Sequence, residues 1–211
     1  REIVMTTALR NSEVASAVVN ELAGHGVSDA IVSPGSRNTP LLLALAHSNI
    51  RVHVITDERA ASFFGLGLAK AQRRPVVLNC TSGSAGANYT AAMAEACYAG
   101  VPLIAVTADR PAPLQGCGAP QTMNQKELFG HFAVSAIHLE ASVCDEEGKM
   151  AAGATRELFE GLRAHIGPAH LNVAFQEPLW SPETPSKNPT ASVTEPPVHL
   201  TVTDRVPARI F

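Results

Sequence analysis

The chain has 211 residues, 45% of them hydrophobic and 17% charged, enough apolar material for a sizeable core and too few charges for global disorder. Sixteen Lys and Arg against nineteen Asp and Glu leave a net charge of -3, which excludes the basic footprint of a nucleic-acid binder. No apolar run approaches the roughly 20 residues of a membrane span, and no signal-peptide pattern is read at the start; a first residue of Arg rather than Met is what an excised or processed piece would show.

In chain order, Val14, Ala17, Val18 and Leu22 recur at helical spacing over residues 12–25, and Gly24 and Gly26 end the run. Residues 29–33 read as a short strand and 34–38 as a turn, after which Thr39 is expected to cap a helix that has Pro40 at its first position. Residues 51–56 read as a short buried strand, 57–72 as a helix, 75–80 as a strand, 81–86 as a turn, 87–99 as an alanine-rich helix and 101–107 as a fourth strand. Residues 112–130 are irregular, 150–165 are helical with Ala151, Ala154, Leu158 and Leu162 on one face, and 170–175 form a last strand of the same sheet. Unbroken apolar strands alternating with helices predict a three-layer α/β/α fold with a mostly parallel sheet. The domain is expected to end near residue 180. A Pro-rich linker over 181–197 follows, since seven of the fifteen prolines fall in 178–211, and a strand-like run at 198–203 reads as the start of a truncated next domain.

In such a fold, ligands lie at the carboxyl ends of the strands, where four informative turns fall: 33–38, 56–58, 81–86 and 107–111. Ser33-Pro34-Gly35-Ser36-Arg37-Asn38 places backbone N–H groups and one guanidinium around a point, an anion receptor or else a plain strand-to-helix turn. Glu58 opens a helix. It is either a helix-dipole carboxylate or, beside Phe63 and Phe64, an acid tuned to share a proton with a heterocycle nitrogen. Thr81-Ser82-Gly83-Ser84-Ala85-Gly86 lacks the lysine of a phosphate-binding P-loop. Small residues on two helices (Ala61, Gly65 and Ala69; Gly86 with alanines 87, 91, 92, 94 and 96) point to close helix-on-helix packing, with an interface between subunits as one use for it. Arg110 follows a strand end, where it either faces an anionic ligand or forms a surface turn with Asp109, and Gln121 either donates to a ligand or serves its loop. The four cysteines stand alone and read as reduced thiols of a cytoplasmic protein; the eight histidines show no H-x-x-H spacing, so no zinc site is expected.

Taken together, S-P-G-S-R-N-T-P-L, D-E-R-A-A-S-F-F-G-L-G-L-A-K, T-S-G-S-A-G-A-N, P-L-I-A-V-T-A-D-R-P and G-A-P-Q-T resemble the N-terminal pyrimidine-binding domain of thiamine-diphosphate enzymes, over about residues 8–177. The S-P-G-S-R and A-D-R-P elements narrow the resemblance to the menaquinone-pathway carboligases that make 2-succinyl-5-enolpyruvyl-6-hydroxy-3-cyclohexene-1-carboxylate. The resemblance implies a transferase that decarboxylates 2-oxoglutarate and adds the product carbanion to isochorismate, using thiamine diphosphate and Mg²⁺. It implies Glu58 as the catalytic partner of the aminopyrimidine nitrogen, with Pro34, Ser82 and Asn88 around the cofactor. Ser36, Arg37, Arg110 and Gln121 fall on the isochorismate side. The diphosphate and Mg²⁺ motif is absent, so metal and diphosphate are held by a domain outside this chain, and a second subunit completes the site in a homodimer or homotetramer. The piece alone is expected to be inactive. Pro120 stands where the family has an asparagine. The rivals are another thiamine-diphosphate 2-oxo-acid decarboxylase and a non-catalytic anion-binding regulatory domain.

Overall fold

A computed structural model describes residues 2–145 and 147–182, with side chains from residue 7 onward. The expected linker from residue 183 and the expected strand at 198–203 lie outside the described residues.

The elements run α1 (Glu2–Gly24), β1 (Asp29–Val32), α2 (Thr39–Ala46), β2 (Arg51–Val54), α3 (Glu58–Gln72), β3 (Val76–Cys80), α4 (Ser84–Ala87), α5 (Thr90–Ala99), β4 (Leu103–Asp109), β5 (Ser135–Glu140), α6 (Lys149–Ala164) and β6 (Ala169–Ala174). The six strands form one sheet in the order β2-β1-β3-β4-β6-β5, and every neighbouring pair is parallel. Alternation along each strand divides the core in two. Val77, Ile104, Val106, Leu171 and Val173 face α1, α2 and α6, whereas Ile31, Val76, Leu78, Leu103 and Ala105 face α3 and α5. Both faces of the central strands are covered, so β1, β3, β4 and β6 are buried throughout and read as unbroken apolar runs.

Several expectations change. β2 is the outermost strand and is mostly exposed, with Val54 at 64% exposure, because only β1 pairs with it. Asn38, not Thr39, occupies the cap of α2. Its amide donates inward to Ser33 O and Asn79 Oδ1, and Thr39 Oγ1 donates to Ser36 O, so neither side chain caps the helix. The helix read at 87–99 starts earlier and is broken: Asn88 N and Tyr89 N donate to Ala85 O and Gly86 O, tightening the backbone between α4 and α5. β4 continues through Asp109, which is therefore a buried strand residue rather than part of a surface turn. β5, a half-exposed edge strand, is new.

The small-residue faces also resolve. A Cβ on Gly65 would lie 2.5 Å from Leu78 Cδ2 and 3.1 Å from Ile31 Cγ1, so the Ala61–Gly65–Ala69 face lets α3 sit close on its own sheet. Ala92 and Ala96 are buried in the same layer, while Ala91 faces out. Within this chain, the buried part of each small-residue face packs against the domain's own sheet. No described helix is long and apolar enough to cross a membrane.

Candidate functional site

The chain passes from β1 out to β2 and then back across β1 to β3, so the sheet has a switch point between the carboxyl ends of β1 and β3. In open parallel sheets this is where a crevice for ligands opens. Here the turn after β1 meets the turn after β3. A Cβ on Gly35 would lie 2.5 Å from Thr81 Cβ, and Arg37 N donates to Thr81 Oγ1 at 3.3 Å. Ser33 Oγ donates to Ile55 O at 2.8 Å, drawing in the chain that leads from β2 to Glu58. The fold thus brings the turns that carry Pro34 and Ser36, Glu58, and Ser82 to the carboxyl ends of neighbouring strands.

Glu58 is the first residue of α3. Asp57 caps that helix, its Oδ1 accepting from Ala60 N at 2.7 Å, so Glu58 is half-buried and not needed as the cap. Phe63 and Phe64 are 45% and 46% exposed; within this chain they turn outward and do not enclose the carboxyl group, contrary to the apolar setting expected for it. Beneath the crevice lie two groups that sequence reasoning missed, Cys80 and Tyr89. Burial pushes the Cys80 thiol up to about 12, and the nearby charge of Glu58 adds to this. The Tyr89 hydroxyl is likewise held protonated, first by burial, and it makes no hydrogen bond of good geometry.

Ser82 Oγ donates to Gln121 O at 3.0 Å, and Gln121 has φ +55. The loop after β4 is therefore seated on the turn after β3, and Gln121 is exposed at its rim. Asn88 is not gathered with these residues: it is exposed, and its amide donates to Ser84 O one turn back. The backbone donors expected to ring an anion in the 33–38 turn are partly taken, Arg37 N by Thr81 and Thr39 N by Ser36 O.

A second switch point lies between β4 and β6, because β6 returns to fill the place between β4 and β5. Arg37 reaches this end. It is 3% exposed, donates from Nη1 to Phe175 O at 2.9 Å and from Nη2 to Glu177 Oε1 at 2.6 Å. Arg110 Nη1 lies 3.6 Å from the same oxygen. Burial, then the like charge of Arg110, pull the pKa of Arg37 below its ordinary value, and Glu177 opposes the shift.

Below the arginines runs a buried polar web that the sequence reading did not find. Asn172 is the hub: Nδ2 donates to Asp109 Oδ2 at 2.7 Å and lies 3.0 Å from His138 Nδ1, while Oδ1 accepts from Thr107 Oγ1 at 2.7 Å and Gln125 Nε2 at 3.0 Å. Since the Thr107 proton goes to Asn172, His170 Nε2, 2.8 Å away, is the donor to Thr107. Gln125 carries the web to the crevice, its Oε1 accepting from Gly83 N at 2.7 Å. A cleft of about 640 Å³ opens beside the web, lined by Asp109, Arg110, Gln115, His138 and Glu140 among others. Of the ligand-binding residues expected from the sequence, only Arg110 lines it. Among the described residues no group of three His, Cys, Asp or Glu side chains could hold a metal, and all four cysteines are free.

Residues 12–128 match the family described as "Thiamine pyrophosphate enzyme, N-terminal TPP binding domain". The chain is also similar to proteins named 2-succinyl-5-enolpyruvyl-6-hydroxy-3-cyclohexene-1-carboxylate synthase. It is 49% identical over 166 residues to that of Bacillus velezensis, covering 76% of the chain and 28% of the relative. Against the Geobacillus kaustophilus protein it is 47% identical over 171 residues, 80% of the chain and 30% of the relative. Against the Thermobifida fusca protein it is 48% identical over 176 residues, 80% and 31%. The chain thus spans less than a third of the length of these curated relatives. With the family match covering more than half of the chain and the crevice lying where a parallel sheet places its ligand, the chain belongs to the thiamine pyrophosphate enzymes, as their N-terminal TPP binding domain.

Proposed function

We propose that this domain is the aminopyrimidine-binding part of a carboligase that decarboxylates 2-oxoglutarate and adds the resulting succinyl carbanion equivalent to isochorismate, in menaquinone biosynthesis. The observation that carries this reading is the crevice between β1 and β3, where the S-P-G-S-R turn, the T-S-G turn and the first turn of α3 meet, in a chain nearly half identical to synthases of that name. When bound, thiamine diphosphate supplies the carbon nucleophile and the electron sink. The chain's own residues position and polarise. Glu58 holds a proton against the aminopyrimidine nitrogen N1′, a carboxylate beside a heterocycle base being suited to share one. Pro34 and Ser82 flank the ring, and Asn88 contributes from the rim if the α4–α5 junction turns inward on binding.

Ser36, Arg37, Arg110 and Gln121 serve the isochorismate side. Two guanidinium groups suit a substrate with two carboxylates, since planar forks pair with carboxylates in bidentate fashion. Mg²⁺ and the diphosphate are assigned to a domain beyond this chain, and a second subunit completes the site in a cytoplasmic homo-oligomer. The isolated piece, residues 1–180 with the start of a linker, is accordingly inactive. The test is the complete protein with 2-oxoglutarate, isochorismate, thiamine diphosphate and Mg²⁺. CO2 release coupled to consumption of isochorismate is expected; failure to release CO2 from 2-oxoglutarate would sink the reading.

A further inference from the structure

The receptor formed by Arg37 and Arg110 is already filled, and by a group of this chain. Glu177 follows β6 and is itself 68% exposed, yet its Oε1 lies 2.6 Å from Arg37 Nη2 and 3.6 Å from Arg110 Nη1. One oxygen thus serves both cations. A carboxylate engaged edge-on by a guanidinium would take two donors in parallel, but here the Nε–H groups of Arg37 and Arg110 are both buried and make no hydrogen bond. The receptor is occupied but underfilled.

We propose that Glu177 is an internal stand-in for a substrate carboxylate, holding the arginine pair until an anionic substrate displaces it. The proposal rests on the reading that Arg37 and Arg110 anchor a carboxylate ligand, and it explains how so buried a guanidinium as Arg37 is tolerated without one. A buried charge needs an opposite charge close by, and two like charges at one end of the sheet need one more. Exchanging one carboxylate for another keeps that balance at every stage. The leaving side chain is on the solvent side and returns to water at little cost, whereas the incoming ligand gains the unused Nε–H donors.

The backbone is set up for a swap of side chains and not of chain segments. Asn11, 1% exposed, donates from Nδ2 to Gln176 O at 2.7 Å and to Pro178 O at 3.1 Å, clamping the residues on both sides of Glu177 to α1. Phe175 O, in turn, accepts from Arg37. Glu177 therefore swings from a fixed base, and its rotation alone opens the receptor. Asp109, whose charge also reaches Arg37, leaves that guanidinium a counter-charge when Glu177 has gone.

The test is calorimetric titration of isochorismate into the complete protein without thiamine diphosphate, so that no turnover occurs, for the wild type, Glu177→Gln, Glu177→Asp and Arg110→Gln. If the stand-in holds the receptor for most of the time, its removal tightens apparent binding by the reciprocal of the open fraction. Glu177→Gln is expected to bind about 3–10-fold more tightly, Glu177→Asp to lie between it and the wild type, and Arg110→Gln to bind more weakly. Unchanged or weaker binding by Glu177→Gln, with Arg110→Gln also weaker, overturns the stand-in and leaves the arginine receptor standing. No effect of Arg110→Gln, or no binding by any of the four proteins, overturns the receptor reading and the stand-in with it.

Discussion

The two switch points of the sheet are built on opposite principles. At the crevice between β1 and β3 the chemistry-bearing groups are only partly answered within the chain: Glu58 is half-buried, Pro34 and Ser36 are exposed, and the Tyr89 hydroxyl has no well-formed hydrogen bond. Close by, Val54, Phe63 and Phe64 expose large apolar surfaces. Between β4 and β6, by contrast, Asp109, Thr107, Asn172, His170 and Gln125 are all buried and bonded to one another. The first region leaves these groups unanswered within the chain; the buried web of the second is answered within it and reaches the first through Gln125 and Gly83.

The contrast predicts that substitutions in the first region remove activity and leave the fold, with the largest effect at Glu58. In the complete enzyme, Glu58→Gln keeps the unfolding midpoint and slows exchange of the C2 proton of bound cofactor by about 10²–10⁴-fold, the range for loss of a positioned acid or base. Proton exchange followed by NMR measures it. An unchanged exchange rate would refute the role of Glu58 and erase the functional half of the comparison.

The second region should respond the other way. Asn172→Leu removes a hub of four hydrogen bonds and leaves the buried Gln125 amide and the Asp109 carboxylate each short of a partner. At about 1–3 kcal/mol for each buried group left unanswered, the loss is about 3 kcal/mol, or about 6–12 °C in midpoint for a domain of this size. A drop of less than about 3 °C in a thermal melt, by the same conversion, would mean that the web is not the rigid half of the pair.

How far each region could be read from sequence follows from the same difference. The layered fold was legible because strands buried on both faces leave long apolar runs, as at Val76-Val77-Leu78 and Leu103-Ile104-Ala105-Val106. β5 escaped because Ser135-Ala136-Ile137-His138-Leu139-Glu140 lies at an edge and is mostly half-buried, so its pattern is diluted. The crevice was found through its turns and through the family resemblance, not through local physics, which left Glu58 as readily a helix-dipole partner. The web was missed although it left a trace. Thr107, His170 and Asn172 interrupt apolar strands, and a polar residue in a strand buried on both faces must find partners. Gln125 left none, because a loop glutamine looks the same whether it is solvated or buried.

The smallest expected effect concerns how the web meets acid. Burial, then the neighbouring His138, lower the pKa of His170 to about 3, and burial followed by the charge of Lys126 lowers that of His138. A histidine whose folded pKa lies below its unfolded value of about 6.5 takes up its proton more readily when unfolded. Its contribution to stability is therefore complete above about pH 6.5 and is lost as pH falls from there toward about 3. Protonation at Nδ1 of His138 would also set an N–H against the Asn172 amide, which now donates to that nitrogen. Asp29, whose pKa is lowered by hydrogen bonds from His53, Ser28 and Gln72 that outweigh its burial, loses its contribution only as pH falls below the ordinary carboxylate range. The window between about pH 6.5 and 5 thus belongs to the web. One proton per histidine gives a slope of about 1.4 kcal/mol per pH unit, or about 2 kcal/mol across that window for His170 alone. Urea midpoints at pH 7 and 5 measure it, with His170→Gln as the control that keeps a donor for Thr107 but cannot titrate. Equal losses in wild type and variant would show that the acid sensitivity lies elsewhere, and that the web holds its shape without regard to the charge of its histidines.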